Sequence, residues 1–591
     1  MSKFSQEWSL NDFYSSFEDK SFIHDFYNLE EDGKAFREKY YGTIPEISQN
    51  VSSMKECLED YEKFIARLQK IYSFASLAFA ADTRDKQVMG WMNKVMEKVN
   101  LAENYTLFLA LNIQKLPEEK LDMLMKSDEL TSYRRFFEKL LELKPHTLDE
   151  EVEKVINEML LTGRNAFVKL RDIHIGSQDF KKVVTPDGKE VDSEQELSAL
   201  LSNPDPKTRL EAYQSVRNVY KEHNKLYGYI MQKIVQDHRM DSRRRQYQST
   251  LEKQLMDDEV SRETFETVMQ VTEDNFDLFQ EYYKEKARRM GVDKLRICDL
   301  MAEETTDEKE IEFDDGVEIV LNAMSRVGDK WVDMVRGFFD GRYIDSMIRK
   351  GKRGGAFCWS IWGEHPFILM SYTRKNDSLF TMAHELGHGI HGLLVNDRQK
   401  LLVADPPMVL AEVASIFNEL LLLDYFMEHE TDAKVKKAIL TRQIEDGLNL
   451  LFRQTTISRL ELDLHENSPG GVFDEDYVNE NWQKRYENLV GDSVELLPLH
   501  KYDWARIGHI FFKPFYCYNY CLSYMVSLAC YSKYISEGKS FLDKFVRLLA
   551  SGGSRNPVDA LAIVGIDPTD PVVMKSAIDY NRDRLAQLKK L

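Results

Sequence analysis

Apolar residues recur every three or four positions through most of this 591-residue chain. Leu58, Tyr61, Phe64, Ile65 and Leu68 form one such stripe, and Leu140, Leu141 and Leu143 with their neighbours form another. The first 175 or so residues are therefore predicted to be successive amphipathic helices. Their Glu/Lys/Leu-rich stretches hold no heptad long enough to require a coiled coil. The texture changes at residues 180–191, FKKVVTPDGKEV, where two short β-type runs flank Thr185-Pro186-Asp187-Gly188; this predicts a β-hairpin. Helix resumes after Asn203-Pro204-Asp205-Pro206 and runs to about residue 340. Residues 351–360, GKRGGAFCWS, and 366–373, PFILMSYT, are punctuated by glycine and rich in aromatic or β-branched residues, so they predict two short strands. After about residue 378 the pattern is helical to the end, with no internal repeat. A seam near residue 195 divides an N-terminal helical region ending in the hairpin, 1–195, from a second region, 196–591.

Composition agrees with a mainly α protein. Only 28 glycines and 15 prolines interrupt the chain, too few for a disordered or collagen-like one. A net charge of −20 repels phosphate backbones and anionic lipid, and the one tight basic run, Arg243, Arg244 and Arg245, is diluted by acidic neighbours. No nucleic-acid or membrane partner is expected. The six cysteines include no CxxC pair, which disfavours a disulfide framework or a thiolate metal site and fits buried thiols in a reducing compartment. Residues 1–14 have no apolar core of a signal peptide, and no apolar run approaches the ~20 residues of a membrane span, so a cytoplasmic location is expected.

The chemistry concentrates at residues 376–396, NDSLFTMAHELGHGIHGLLVN. Asn376, Asp377 and Ser378 offer a helix start and Asn396 a stop, while Leu379, Ala383, Leu386, Ile390 and Leu393 make a buried stripe. His384 and His388 then stand on another face, little more than one turn apart, and both imidazoles can reach one ion. Glu385 lies about 100° around from His384, beside the ion, where a carboxylate can handle a proton of the attacking water. Two structural histidines on a core helix remain the competing reading until a third ligand is found. His391 shares their face but lies about 10 Å along the axis from His384, too far to share a zinc ion whose bonds are about 2.0–2.1 Å. HExxHxxGxxH is excluded, because His391 and Leu394 occupy the positions of its Gly and final His. A second helix at 410–420, LAEVASIFNEL, follows a Pro406-Pro407 loop and supplies Glu412, twenty-four residues after His388. Glu412, Ser415 and Glu419 share one helical face. Glu412 can coordinate, and Ser415 or Glu419 can orient a histidine from behind, with His391 expected in the same outer layer around the site. Asp397 and Asp405 are rivals in the connecting loop, where positioning is weaker. Two His and one Glu leave a fourth position open, as in catalytic rather than structural zinc sites.

HELGHGIH, followed at this distance by LAEVASIFNE, resembles the thimet-oligopeptidase family of zinc metallopeptidases, most closely its oligoendopeptidase F branch. WSLNDFY near the start, VVTPDGKEV, GKRGGAFCWS, PFILMSYT and HIFFKPFYCYNY extend the likeness over nearly the whole chain. The resemblance implies a mainly α, two-lobed gluzincin metallopeptidase, with a deep substrate channel and a small β-sheet next to the HExxH helix. It implies one Zn²⁺ per chain and short peptides as substrates. It further implies that Gly354, Gly355, Ala356 and Phe357 belong to an edge strand that binds substrate by β-addition, a role that small residues and an open ladder suit. It places a histidine and tyrosines opposite the zinc to stabilise the oxyanion; His509 and Tyr516 are the nearest correspondents, with Tyr518 and Tyr520 as rivals that are otherwise expected to contact substrate. Ser371 stands where the branch leads one to expect Asn.

The expected activity is endopeptidase cleavage of short unstructured peptides, with Glu385 as proton carrier. A metallocarboxypeptidase-type exopeptidase and an inactive peptide-binding homologue are the alternatives, and a metal-free helical scaffold is the third. An aminopeptidase with a GxMEN string is disfavoured, because no such string occurs. Oligomeric state is not legible.

Overall fold

The computed structural model describes residues 3–304 and 310–591. Helices dominate, and they form two compact units that are discontinuous in sequence. The first takes Met1–Pro145, Glu308–His429 and Cys530–Ile566; the second takes His146–Asp307, Glu430–Ala529 and Asp567–Leu591. The seam expected near residue 195 lies inside the second unit, so sequence order and compactness divide the chain differently. Helix Tyr518–Glu537 is shared between the two. Among the described residues no helix is long and apolar enough to cross a membrane.

In the first unit, helices Lys20–Tyr40, Val51–Ala81 and Lys86–Asn104 begin at Asp19, Asn50 and Asp85, whose side chains accept first-turn N–H groups that have no intrahelical partner. The stripe on Val51–Ala81 is buried at Leu58, which belongs to a separate cluster with Phe108 and Tyr133, and at Phe64 and Leu68, with Tyr61 and Ile65 half-buried beside the last two. Phe22, Phe26, Phe74, Val95 and Val99 complete that core with Trp8, Phe13 and Tyr14 of the WSLNDFY segment.

Phe367 and Leu369 join the same core from a three-stranded sheet. Its central strand, Phe367–Leu369, pairs parallel with Ile344–Asp345 and antiparallel with Phe357–Trp359. All three central residues are buried, as expected of a strand covered on both faces. Two strands were legible; Ile344–Asp345 was not, because two residues carry no alternation. Gly354 and Gly355 form a bend ahead of the edge strand rather than part of it, with Gly355 at φ +81°.

The second unit contains the expected hairpin, Val183–Val184 paired with Glu190–Val191. Its turn is closed by Gly188 N–H donating to the Thr185 carbonyl at 2.8 Å, with Gly188 at φ +86°, a conformation that glycine adopts without steric cost. A parallel pair, Leu295–Arg296 with Val494–Glu495, was not predicted. Helix Gln454–Leu462 runs between two π-helical turns, Asn449–Arg453 and Asp463–Asn467.

Candidate metal centre

The motif helix runs Asn376–Arg398. Its start is held by Ser378, whose Oγ accepts the Thr373 N–H at 2.8 Å. Asn396 does not end it. That side chain donates instead to the carbonyls of Ile361 and Glu364, at 2.9 and 2.8 Å, and ties the helix to the loop ahead of the central strand. Leu379, Ala383, Leu386 and Ile390 are fully buried, whereas Leu393 is only half-buried.

The main neighbour of this helix is Val413–His429. Buried Asn418 donates to the Ala383 carbonyl at 3.2 Å and accepts the Trp331 indole N–H at 3.1 Å, which fixes the crossing one residue from His384. Gly387 makes the approach possible: a Cβ there would stand 2.5 Å from Ser415 Cα and 2.6 Å from the Ala414 carbonyl carbon. The sequence carried a signal for this, a glycine inside a helical pattern, but the partner backbone that requires it was not visible.

Across this crossing the metal-ligand candidates converge. His384 Nε2 and His388 Nε2 are 3.1 Å apart, and Glu412 Oε2 lies 3.4 and 3.3 Å from them respectively. Among the described residues this is the one His/Cys/Asp/Glu group whose ligand atoms converge in this way. A tetrahedron with bonds of about 2.0–2.1 Å has edges of about 3.3 Å, so the donor triangle fits a zinc ion. Two imidazole nitrogens turned toward each other and toward one carboxylate oxygen are also an arrangement that a cation explains.

Glu412 is not inside a continuous helix. It sits at the junction between Met408–Ala411 and Val413–His429. Ser415 Oγ secures it, lying 2.9 Å from both its backbone carbonyl and Oε2. Burial raises the Glu412 carboxyl, but hydrogen bonding to His384 and His388 outweighs that and holds it well below the usual range. Glu419 Oε1 meets His384 Nδ1 at 2.5 Å, leaving Nε2 for the centre. His391 is buried and points elsewhere: it bonds the backbone of Leu549 and Ala411, and burial drives its pKa down to about 4.

Glu385 is buried, and desolvation raises its carboxyl against the opposing pull of His384 and His388. It lies close enough to Cys358 of the edge strand to act on that thiol electrostatically. Phe357 starts this edge strand, with Ala356 just before it and Gly354 and Gly355 exposed.

The remaining candidates belong to the second unit. His509 and Tyr516 lie parallel with ring centroids 5.7 Å apart, and the Tyr520 hydroxyl is 3.3 Å from His509 Nε2. Desolvation, with Arg453 nearby, lowers the His509 pKa. Tyr518 corrects the expectation: it is fully buried, its hydroxyl donating to Asp258 at 2.8 Å, and it is a core residue rather than a substrate contact.

The sequence model of peptidase family M3 matches residues 199–580, and that of oligopeptidase F matches residues 112–180. The chain belongs to peptidase family M3, and it is a peptidase. The oligopeptidase PepF of Bacillus subtilis is 24% identical over 94% of this chain and 82% of its own length. An oligoendopeptidase F homologue from Borreliella burgdorferi is 27% identical over 94% of both chains. Among solved structures, a candidate peptidase from Chlamydophila abortus has a TM-score of 0.88 at 23% identity, covering 100% of this chain and 99% of its own. The oligoendopeptidase F of Enterococcus faecium has a TM-score of 0.73 at 21% identity, covering 97% and 98%. These structures share the mainly α fold. The family that HELGHGIH and LAEVASIFNE resemble is thus the family found.

Proposed function

We propose that the protein is a zinc-dependent oligoendopeptidase that cuts internal bonds of short, unstructured peptides. The observation that carries this is the convergence of His384 Nε2, His388 Nε2 and Glu412 Oε2 with buried Glu385 next to them in the helix. His384, His388 and Glu412 would hold the ion, one per chain. When bound, zinc supplies Lewis-acid polarisation of the scissile carbonyl and acidifies water. Glu419 fixes the His384 tautomer, and Ser415 holds the Glu412 carboxylate in place. Glu385 takes a proton from the attacking water and returns it to the leaving amine. A carboxyl raised by burial suits both steps. His509 and Tyr516 donate to the oxygen that gains charge, with Tyr520 steadying the imidazole. A histidine held neutral by burial is a suitable donor.

The substrate backbone adds to the edge strand Phe357–Trp359, whose one ladder partner among the described residues is the central strand. Gly354, Gly355 and Ala356 keep its approach unobstructed. We assign the catalytic region to 196–591 and the location to the cytoplasm, where six free cysteines are at home. A peptide ladder of increasing length, digested with and without a chelator, tests the reading. Internal cuts that stop on chelation and return with zinc are expected. Glu385→Gln is expected to keep its zinc and lose about 10²–10⁴-fold in kcat. Chelator-resistant cleavage, trimming from one end only, or an active Glu385→Gln protein would each remove it.

A further inference from the structure

Residues 513–516 make a turn that connects His509 to the tyrosines. Lys513 N–H donates to the His509 carbonyl at 2.9 Å, and Tyr516 N–H donates to the Lys513 carbonyl at 3.2 Å. Pro514 occupies the second position of this turn, and Phe515 the third, at φ +59°. Proline second and positive φ third define a type II turn, whose third position normally takes glycine or asparagine because a Cβ is strained there. A phenylalanine persists in that conformation only where its surroundings enforce it. Turns of types I and II differ by a flip of their central peptide, here the one between Pro514 and Phe515. The group that binds its N–H therefore selects the type.

That group is Glu461. It stands on helix Gln454–Leu462, is 1% exposed, and its Oε1 accepts the Phe515 N–H at 2.5 Å. Its other oxygen has no protein partner among the described residues. A buried carboxyl with one hydrogen bond is costly to hold in its charged form, because desolvating the charge costs more than one bond returns. Burial also lifts its pKa to about 8, so it is mostly a neutral acid at pH 7 and serves the turn as an acceptor. The Phe515 ring packs against His465 and His238, with centroids 4.9 and 6.2 Å away, so a flipped peptide would also have to dislodge that ring.

We propose that Glu461 is a positioning residue: through the Phe515 N–H it locks the 513–516 turn in its left-handed form and so sets Tyr516 against His509. The consequence for catalysis rests on the oxyanion role given to His509 and Tyr516 above. The consequence for geometry does not.

The test compares Glu461→Gln, which keeps an acceptor oxygen, with Glu461→Leu, which fills similar space without one. Each is assayed for kcat, KM, zinc content and Tm, and for His509 titration by NMR of ¹³C-histidine protein. Glu461→Leu is expected to lose about 10- to 100-fold in kcat, the effect of removing one buried partner, with KM and zinc content within about threefold of wild type. Its His509 pKa should move up toward the ordinary histidine value. Glu461→Gln should restore the titration and most of kcat. A Leu variant with wild-type kcat and His509 titration overturns the proposal, and so does a Gln variant as impaired as Leu. If Leu does not fold, the Gln variant decides through its titration. Should wild type fail to cleave peptides, the functional reading falls, while the His509 titrations still decide whether Glu461 holds the turn.

Discussion

Gly387→Ala probes whether the metal centre depends on how closely two helices approach. The new methyl would lie 2.5 Å from Ser415 Cα and 2.6 Å from the Ala414 carbonyl carbon, where ordinary contact begins at 3.4 Å. Both neighbours are backbone, so no side chain can swing away, and the helix Val413–His429 must retreat by about 1 Å. Glu412 sits one residue before that helix, and its Oε2 is 3.3–3.4 Å from the two imidazole nitrogens. The same retreat carries it beyond the roughly 3.3 Å edge that a four-coordinate zinc site requires. Without metal the helices separate and the strain relaxes; with metal the ligands must be drawn together and the strain returns. Overpacking of this kind costs about 1–3 kcal/mol, so the zinc Kd should rise about 5- to 150-fold. Competition against a chelator of known affinity measures this. Gly337→Ala serves as control, since nothing lies within 4 Å of its Cβ position, and it should leave the Kd unchanged. A Gly387→Ala protein that binds zinc within twofold of wild type would mean that the centre does not depend on this close approach.

Other consequences follow from single contacts. Glu419→Leu removes the carboxylate on His384 Nδ1 and should weaken zinc binding about 10- to 100-fold, with Glu419→Gln in between, read by the same competition. Tyr516→Phe should cut kcat by about 10- to 100-fold with little change in KM, because the lost bond is made to charge that develops only in the transition state. The Glu461 carboxyl is raised in the fold to about 8, so its contribution to stability is present below its unfolded pKa of about 4.5 and is lost as pH rises through 8. The loss amounts to roughly 3–5 kcal/mol by pH 8, and calorimetry should show Glu461→Gln gaining on wild type between pH 5 and pH 8. A constant Tm difference over that range would contradict the assignment.

What the sequence disclosed, it disclosed where chemistry is local. Thr185-Pro186-Asp187-Gly188 announced its turn because Gly188 alone supplies the required φ. His384, Glu385 and His388 were legible because helical spacing fixes their relative directions before any packing occurs. The third ligand could be named from its place after Pro406-Pro407, yet the break in the helix at Glu412 was invisible, since Ser415 and the two histidines hold it there. Long-range partners explain the other misses. Tyr518 is a core residue whose hydroxyl is received by Asp258, 260 positions away, a partner that its own neighbourhood in the sequence does not disclose. Ile344–Asp345 becomes a strand only beside Phe367–Leu369. The compact units gather three separate stretches each, which no local pattern encodes.

Anomalous diffraction at the zinc edge from crystals of zinc-loaded protein would locate the ion itself. One strong peak per chain is expected, about 2.0–2.1 Å from His384 Nε2, His388 Nε2 and Glu412 Oε2. A peak held by other side chains, or no peak in protein that cleaves peptides, would contradict this zinc site.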